Sequence, residues 1–159
     1  MGKPLAITAS LVDVRNMLDY DQNTGAIRTT SGHPNSGDGL RRKDIRVNGK
    51  SIRAGRVAWA LYYGEWPTKE IDHINGDPTD HRICNLREAT RSQNCANRRV
   101  FKKNEIGIKG VSKNGNGYMA RIRKNGTLIH IGTYHTPEQA HEAYARAAVD
   151  AHENFARVQ

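Results

Sequence analysis

The chain has 159 residues, with 25 lysines and arginines against 16 aspartates and glutamates and a formal net charge of +9. That length suits one medium domain or two small ones with modest cores. No apolar run approaches the roughly 18 residues of a membrane span, the first residues lack the apolar core of a signal peptide, and the two cysteines fit neither a disulfide framework nor a four-ligand zinc site.

A cytoplasmic location without structural zinc is therefore expected, with Cys84 and Cys95 as buried or incidental thiols. The basic excess is uneven: ten lysines and arginines fall between Arg91 and Pro137, against one acid, Glu105. Such a stripe favours a polyanion through release of counterions from phosphates. A merely solubilising surface, or attraction to anionic lipid, is the competing reading.

In chain order, Ser10–Leu18 predicts a short helix, with Leu11, Val14 and Leu18 on one face and Ser10 and Asp13 as a capping box. The next stretch alternates Asp19, Asp21 and Asn23 as a calcium loop does. However, the glycine arrives one position late, at Gly25, and Thr30 stands where the bidentate glutamate belongs, so a hairpin turn is expected. Asp44–Arg53 reads as a hairpin turning at Asn48-Gly49. Ala54–Pro67 reads as a helix with Val57, Ala58, Leu61 and Tyr62 on one face, stopped by Gly64 and Pro67. Trp59, Tyr62 and Tyr63 are expected in the core in preference to a base-stacking platform.

The chemistry concentrates in Ile71–Arg98. Phosphodiester hydrolysis needs a base near neutrality and a hard cation to take charge from the phosphate. His73 is the candidate base, and Asp72, on the opposite side of a strand, can carry a metal. Thr90-Arg91-Ser92-Gln93 predicts a capped helix whose first turn holds Asn94, a second oxygen ligand for magnesium. Asn85 closes the polar loop between, where its amide can hold the loop and aim the histidine. Arg98 and Arg99 follow as contacts for phosphate.

After a basic linker at 101–109, the chain predicts strands near Gly110–Ser112, Tyr118–Lys124 and Leu128–Thr133 with Asn-Gly turns between them. A helix follows, capped by Thr136 with Pro137 and Gln139, whose inner face is Ala140, Ala143, Tyr144, Ala147 and Ala151.

These residues carry two resemblances. Asp72-His73, Ile74-Asn75-Gly76-Asp77, Asn85-Leu86 and Asn94, with the flanking Gly55–Pro67 and Asn85–Thr90, resemble the HNH endonucleases of the phage and intron homing branch over about residues 10–98. Members often have Asn where this chain has His81, and His where it has Gly55. The resemblance implies a ββα-metal nuclease with His73 and Asn85 as catalytic residues and Asp72 and Asn94 on Mg2+ or Mn2+. It also implies a single-metal cut leaving 3′-hydroxyl and 5′-phosphate ends. His81 reads as a solvated loop histidine in preference to a ligand or a phosphate contact.

Residues 107–152 are similar to the Apetala-type DNA-binding domain, in which a three-stranded sheet enters the major groove. That likeness implies Lys113, Tyr118, Arg121, Arg123 and His130 as the residues facing DNA. Tyr118 and His130 stand where tryptophan is usual.

The expected fold class is α+β: a nuclease domain over residues 1–100, then over 110–159 a small three-stranded antiparallel sheet with one packed helix. The expected function is a metal-dependent endonuclease acting on double-stranded DNA as a monomer or homodimer, without a membrane. A DNA-binding regulator with a decayed nuclease site and a structural or RNA-binding basic protein are the competing classes; the last lacks the aromatic pairs of a single-strand platform.

Overall fold

The computed structural model describes residues 9–30, 43–98, 104–152 and 155–156. Helices and antiparallel sheets alternate along it, an α+β arrangement, in two compact units, Met1–Ala89 and Thr90–Gln159. Among the described residues no helix is long and apolar enough to cross a membrane, and Cys84 and Cys95 are free thiols, Cys84 exposed.

In the first unit, α1 (Leu11–Met17) opens on Ser10, whose Oγ accepts from the Val12 amide at 3.2 Å. Asp13 makes no capping box; its carboxylate accepts from Asn48 Nδ2 at 3.0 Å instead. Leu18 begins β1 (Leu18–Tyr20), which pairs with β2 (Ile27–Thr29). The turn between them is a hairpin turn, closed by Asp21: its carboxylate accepts from the Asn23 amide and the Thr24 hydroxyl at 2.9 and 2.8 Å. β3 (Asp44–Val47) and β4 (Lys50–Arg53) turn at Asn48-Gly49, both with positive φ, as that dipeptide predicts.

α2 (Ala54–Tyr63) ends at the left-handed Gly64. Its buried side is Ala54, Val57, Ala58 and Ala60, while Tyr62 and Tyr63 are 47 % and 53 % exposed. Of the three aromatics expected inside, Trp59 packs on the core, its ring 4.3 Å from that of Tyr63. A helix buries only the part of its face that other elements cover, and the cover ends before the tyrosines. The core gathers Val14, Leu18, Ile27, Val47, Val57 and Leu86. The unit closes with β5 (Glu70–His73) antiparallel to β6 (Leu86–Ala89), joined through a loop and a 3-10 turn at Ile83–Asn85.

The second unit begins with α3 (Arg91–Asn97), capped as expected. Thr90 Oγ1 accepts from the Gln93 amide at 3.3 Å, and Gln93 Oε1 accepts from the Thr90 amide at 2.9 Å. Of the segment expected as a linker, residues 101–103 lie outside the described residues. The remainder is built into this unit: Ile106 and Ile108 pack on its core, and Asn104 Nδ2 donates to the Ile108 carbonyl at 2.6 Å.

A sheet of β7 (Val111–Asn114), β8 (Gly117–Lys124) and β9 (Thr127–Tyr134) lies under α4 (Pro137–His152). The helix buries Ala140, Tyr144, Ala148 and His152, one residue per four, with the expected Ala143, Ala147 and Ala151 half-buried beside that line. Gly110 lets the ring of Tyr144 close on the backbone: a Cβ there would sit 2.0 Å from Tyr144 Cδ2, at a φ of +76°.

Candidate active site

The β5–β6 hairpin sets the site. Cross-strand register puts Asp72 opposite Arg87 and His73 opposite Leu86, and alternation along β5 sends Asp72 and His73 to opposite faces. Asp72 is 3 % exposed, and its Oδ2 accepts from Arg87 Nε at 2.9 Å.

The loop between the strands is tied by one buried amide. Asn85 Oδ1 accepts from the Asn75 amide at 2.9 Å, while its Nδ2 donates to the Asp80 carbonyl at 2.8 Å and to Asn75 Oδ1 at 3.1 Å. The Ile74 amide adds a bond to the Asn85 carbonyl, at 2.9 Å. Asn85 thus joins both ends of the loop, as its position before Leu86 suggested. Asp80 is held further by Arg82, whose Nε and Nη2 donate to it at 2.9 and 2.7 Å, and the guanidinium holds the carboxyl down at about 2.

His81 overturns the expectation of a solvated histidine. It is 1 % exposed, among the largest fully buried side chains, with Nδ1 3.2 Å from Nε2 of His73. The ring centroids are 5.3 Å apart at 59°, an edge contact in place of a stack. The cause is tertiary. Tyr20 Oη donates to the His81 carbonyl at 2.7 Å and the Ile83 amide to the Gln22 carbonyl at 3.2 Å, which draws the segment under the β1–β2 turn.

His73 itself is half-buried. Its Cε1 and Nε2 would stand 3.2 and 3.4 Å from a Cβ on Gly55, so the bare first turn of α2 makes room for the ring. Burial, and after it the neighbouring His81, pull the imidazole down to about 4, so His73 is neutral across the physiological range.

The first unit thus brings together Asp72, His73 and Asn85. Asn94 lies in the first turn of α3, in the second unit. Among the described residues no three histidine, cysteine or acidic side chains gather as a metal site. The donor chemistry still fits a hard cation. A carboxylate and an amide oxygen are both hard oxygen ligands of the kind such a cation takes.

The residues expected to face DNA do not share one surface. Cross-strand partners lie on one side of a sheet, and Val111–Ala120, Lys113–Tyr118 and Ile122–Ile129 follow the side that packs on α4. Tyr118 accordingly packs on the core, and Lys113 is exposed at the hairpin end. Arg121, Arg123 and His130 take the opposite side, with Arg121 across from His130 and Arg123 from Leu128. Arg121 Nη2 donates to Ser112 Oγ at 3.2 Å and Arg123 Nη1 to the Gly126 carbonyl at 2.6 Å. Arg98, with Arg91, Lys109, Arg121 and Arg123, lines a basic cavity of about 520 Å³ in the second unit. Arg99 lies outside the described residues.

Sequence reasoning missed the depth of His81 and the Arg87 partner of Asp72. The second was open to it: an Asp and an Arg fifteen apart across a hairpin closed by Asn85 can fall in register. The first was not, since nothing near residue 81 names Tyr20 or Gln22.

Residues 53–96 match the HNH endonuclease family. An uncharacterised HNH endonuclease of Acanthamoeba polyphaga mimivirus is 34 % identical over 86 residues, which span 54 % of this chain and 44 % of that protein. No solved structure matches significantly. The stretch bearing Asp72, His73, Asn85 and Asn94 therefore lies in the part of this chain that is similar to the HNH endonucleases.

Proposed function

We propose that the protein is a divalent-metal-dependent DNA endonuclease of the homing type, built on a ββα-metal core, with residues 110–159 as an Apetala-type recognition module. The observation that carries this reading is His73: a neutral imidazole at a strand end, beside a loop knotted by Asn85, within the segment that matches the HNH endonucleases.

Asp72 and Asn94 would hold Mg2+ or Mn2+, which when bound neutralises charge at the scissile phosphate. His73 takes the proton of the attacking water. The water oxygen forms the new bond to phosphorus, and the bond to the 3′ oxygen breaks with its electron pair on that oxygen, which solvent protonates. Asn85 keeps the loop shut through turnover. Arg121, Arg123 and the basic cavity bind the phosphate backbone, with base edges read from the outward face of the sheet.

One observation favours a second reading. Asp72 is paired with Arg87, as in a site that has given up its cation and acts only as a DNA-binding regulator.

Supercoiled plasmid cleavage with and without EDTA separates the two. The nuclease cuts only in the metal, and His73→Ala loses about 10²–10⁴ in rate while plasmid affinity is nearly unchanged. Raised magnesium demand in Asp72→Ala and Asn94→Ala supports the ligand assignment. No EDTA-sensitive cutting by the wild type leaves the regulator.

A further inference from the structure

We propose that the cavity of the second unit is a site for a single nucleotide unstacked from a DNA strand, its phosphate on the cations and its base against the apolar wall. The proposal rests on the reading that this unit binds DNA and is independent of cleavage.

The cavity exists because β8 outruns its neighbour. β7 pairs with β8 only over Gly117–Ala120, and the Arg121 amide ends that ladder on the Gly110 carbonyl at 2.9 Å. Over Ile122–Lys124, β9 is the strand that pairs with β8, on its other side. Along the bare edge stands α3: the Asn125 amide donates to Ser92 Oγ at 3.4 Å, and Lys109 Nζ donates to the Ala96 carbonyl. His152 Nε2 takes the Arg123 carbonyl of the same edge, at 3.1 Å. These bonds hold the cavity of about 520 Å³ in shape without a ligand.

Because it wraps a strand edge, the cavity is lined from both sides of the sheet. Arg121, Arg123 and Leu128 come from the outward side, Ile122 and the Tyr144 ring from the side that packs on α4. Arg91, Arg98 and Lys109 complete the cationic part, and among the described residues no acid lines it. Arg121 and Arg123 are anchored by one bond each, to Ser112 Oγ and the Gly126 carbonyl, and a guanidinium has N–H donors to spare for a phosphate after one bond.

Cations beside an apolar wall suit one class of ligand. A bare phosphate gains nothing from the wall. A regular duplex meets the cations, but its bases are stacked within the helix and do not reach the wall. A nucleotide out of the stack presents an anion and an apolar π face together, and the volume falls in the range of about 300–1,000 Å³ common to pockets for small organic ligands. The Asn125-Gly126 turn leaves its side of the mouth open, since a Cβ on Gly126 would meet nothing within 4 Å.

Cys95 lies on the wall and, like Cys84, is a free thiol. In the full-length chain with Cys84→Ser, in EDTA, the rate of Cys95 alkylation by iodoacetamide reads occupancy. The probes are thymidine 5′-monophosphate, thymidine, inorganic phosphate, a matched duplex, and the same duplex with one unpaired thymidine. Thymidine 5′-monophosphate should protect Cys95 at a concentration about tenfold or more below that of thymidine or phosphate, and the unpaired duplex about tenfold below the matched one. Arg98→Gln should weaken both duplexes. Leu128→Gln, at a half-exposed position, should erase the preference for the unpaired duplex and keep matched-duplex affinity.

Equal protection by phosphate and thymidine 5′-monophosphate would make this an anion site and overturn the proposal, as would equal protection by the two duplexes. If Cys95 reacts too slowly to follow, an unpaired 2-aminopurine decides: emission that rises on binding, and not with Leu128→Gln, supports the site, and unchanged emission overturns it. A chain that binds neither duplex sinks the DNA reading and the proposal with it. One that shows the expected preference but cuts no plasmid in Mg2+ supports the site and sinks the nuclease reading alone.

Discussion

The loop between β5 and β6 and the sheet of β7, β8 and β9 are both rich in polar side chains, and they dispose of them in opposite ways. In and beside the loop, Asp72, His81 and Asn85 are 3 %, 1 % and 6 % exposed, and each is bonded to a named partner. In the sheet, Arg123 and His130 stand open on the side away from α4. A buried polar group left without its bond costs about 1–3 kcal/mol, whereas an exposed charged one costs little and contributes little to stability. The difference teaches where rigidity is required: the hairpin loop keeps a fixed arrangement around one imidazole, and the sheet presents side chains that can adapt to a partner.

The comparison breaks most sharply if removing a single tether from each region has the same functional result. Asn85→Ala strips the loop of three bonds and strands the Asn75 amide and the Asp80 carbonyl. It should destabilise the first unit by about 3 kcal/mol and abolish cutting. Gly110→Ala drives a methyl into the ring of Tyr144 and should destabilise the second unit comparably. In that variant specific DNA affinity goes while the amide protection of the β5–β6 hairpin stays. Hydrogen exchange on both full-length variants checks this, and loss of protection in both units of either variant would merge the two regions into one.

A smaller effect sharpens the role of the open face. Arg121→Ala and Arg123→Ala should each cost about 1–3 kcal/mol at a preferred site and relax base choice there if the guanidiniums read bases. If they touch phosphate alone, affinity falls evenly on all duplexes and the salt slope drops by about one per residue. Binding to specific and random duplexes across a salt series distinguishes the two.

The smallest effect concerns His152, whose Nε2 donates to the Arg123 carbonyl at 3.1 Å under the sheet. Burial holds this imidazole below its ordinary 6.5. The unfolded chain therefore binds the proton first, and the stability that His152 contributes is full above 6.5 and drains away as pH falls below it. The denaturant midpoint of the second unit should decline on that acid side, and His152→Gln should flatten the slope.

Much of the molecule could be read from local chemistry. Asn48-Gly49 and Asn125-Gly126 dictate their hairpins because few other pairs take two positive φ values in succession. Thr90 with Gln93 and Thr136 with Gln139 mark helix starts because each pair satisfies amides the helix leaves open. Asp72, His73 and Asn85 were legible for the same reason, since strand alternation and a loop-closing amide act over a few residues. Where Leu18 leaves its helix, where Tyr62 and Tyr63 meet solvent, and which side of the sheet holds Tyr118 depended on what covers each surface.

His81 marks the boundary most plainly. Its spacing within the loop made it a polar residue in a polar turn, and the sequence determined that turn. Its burial against His73 was decided by Tyr20, Gln22 and Gly25, some sixty positions earlier. A hydrogen bond and a close backbone contact across that separation leave no periodic trace, because they form only when the two hairpins have folded onto each other.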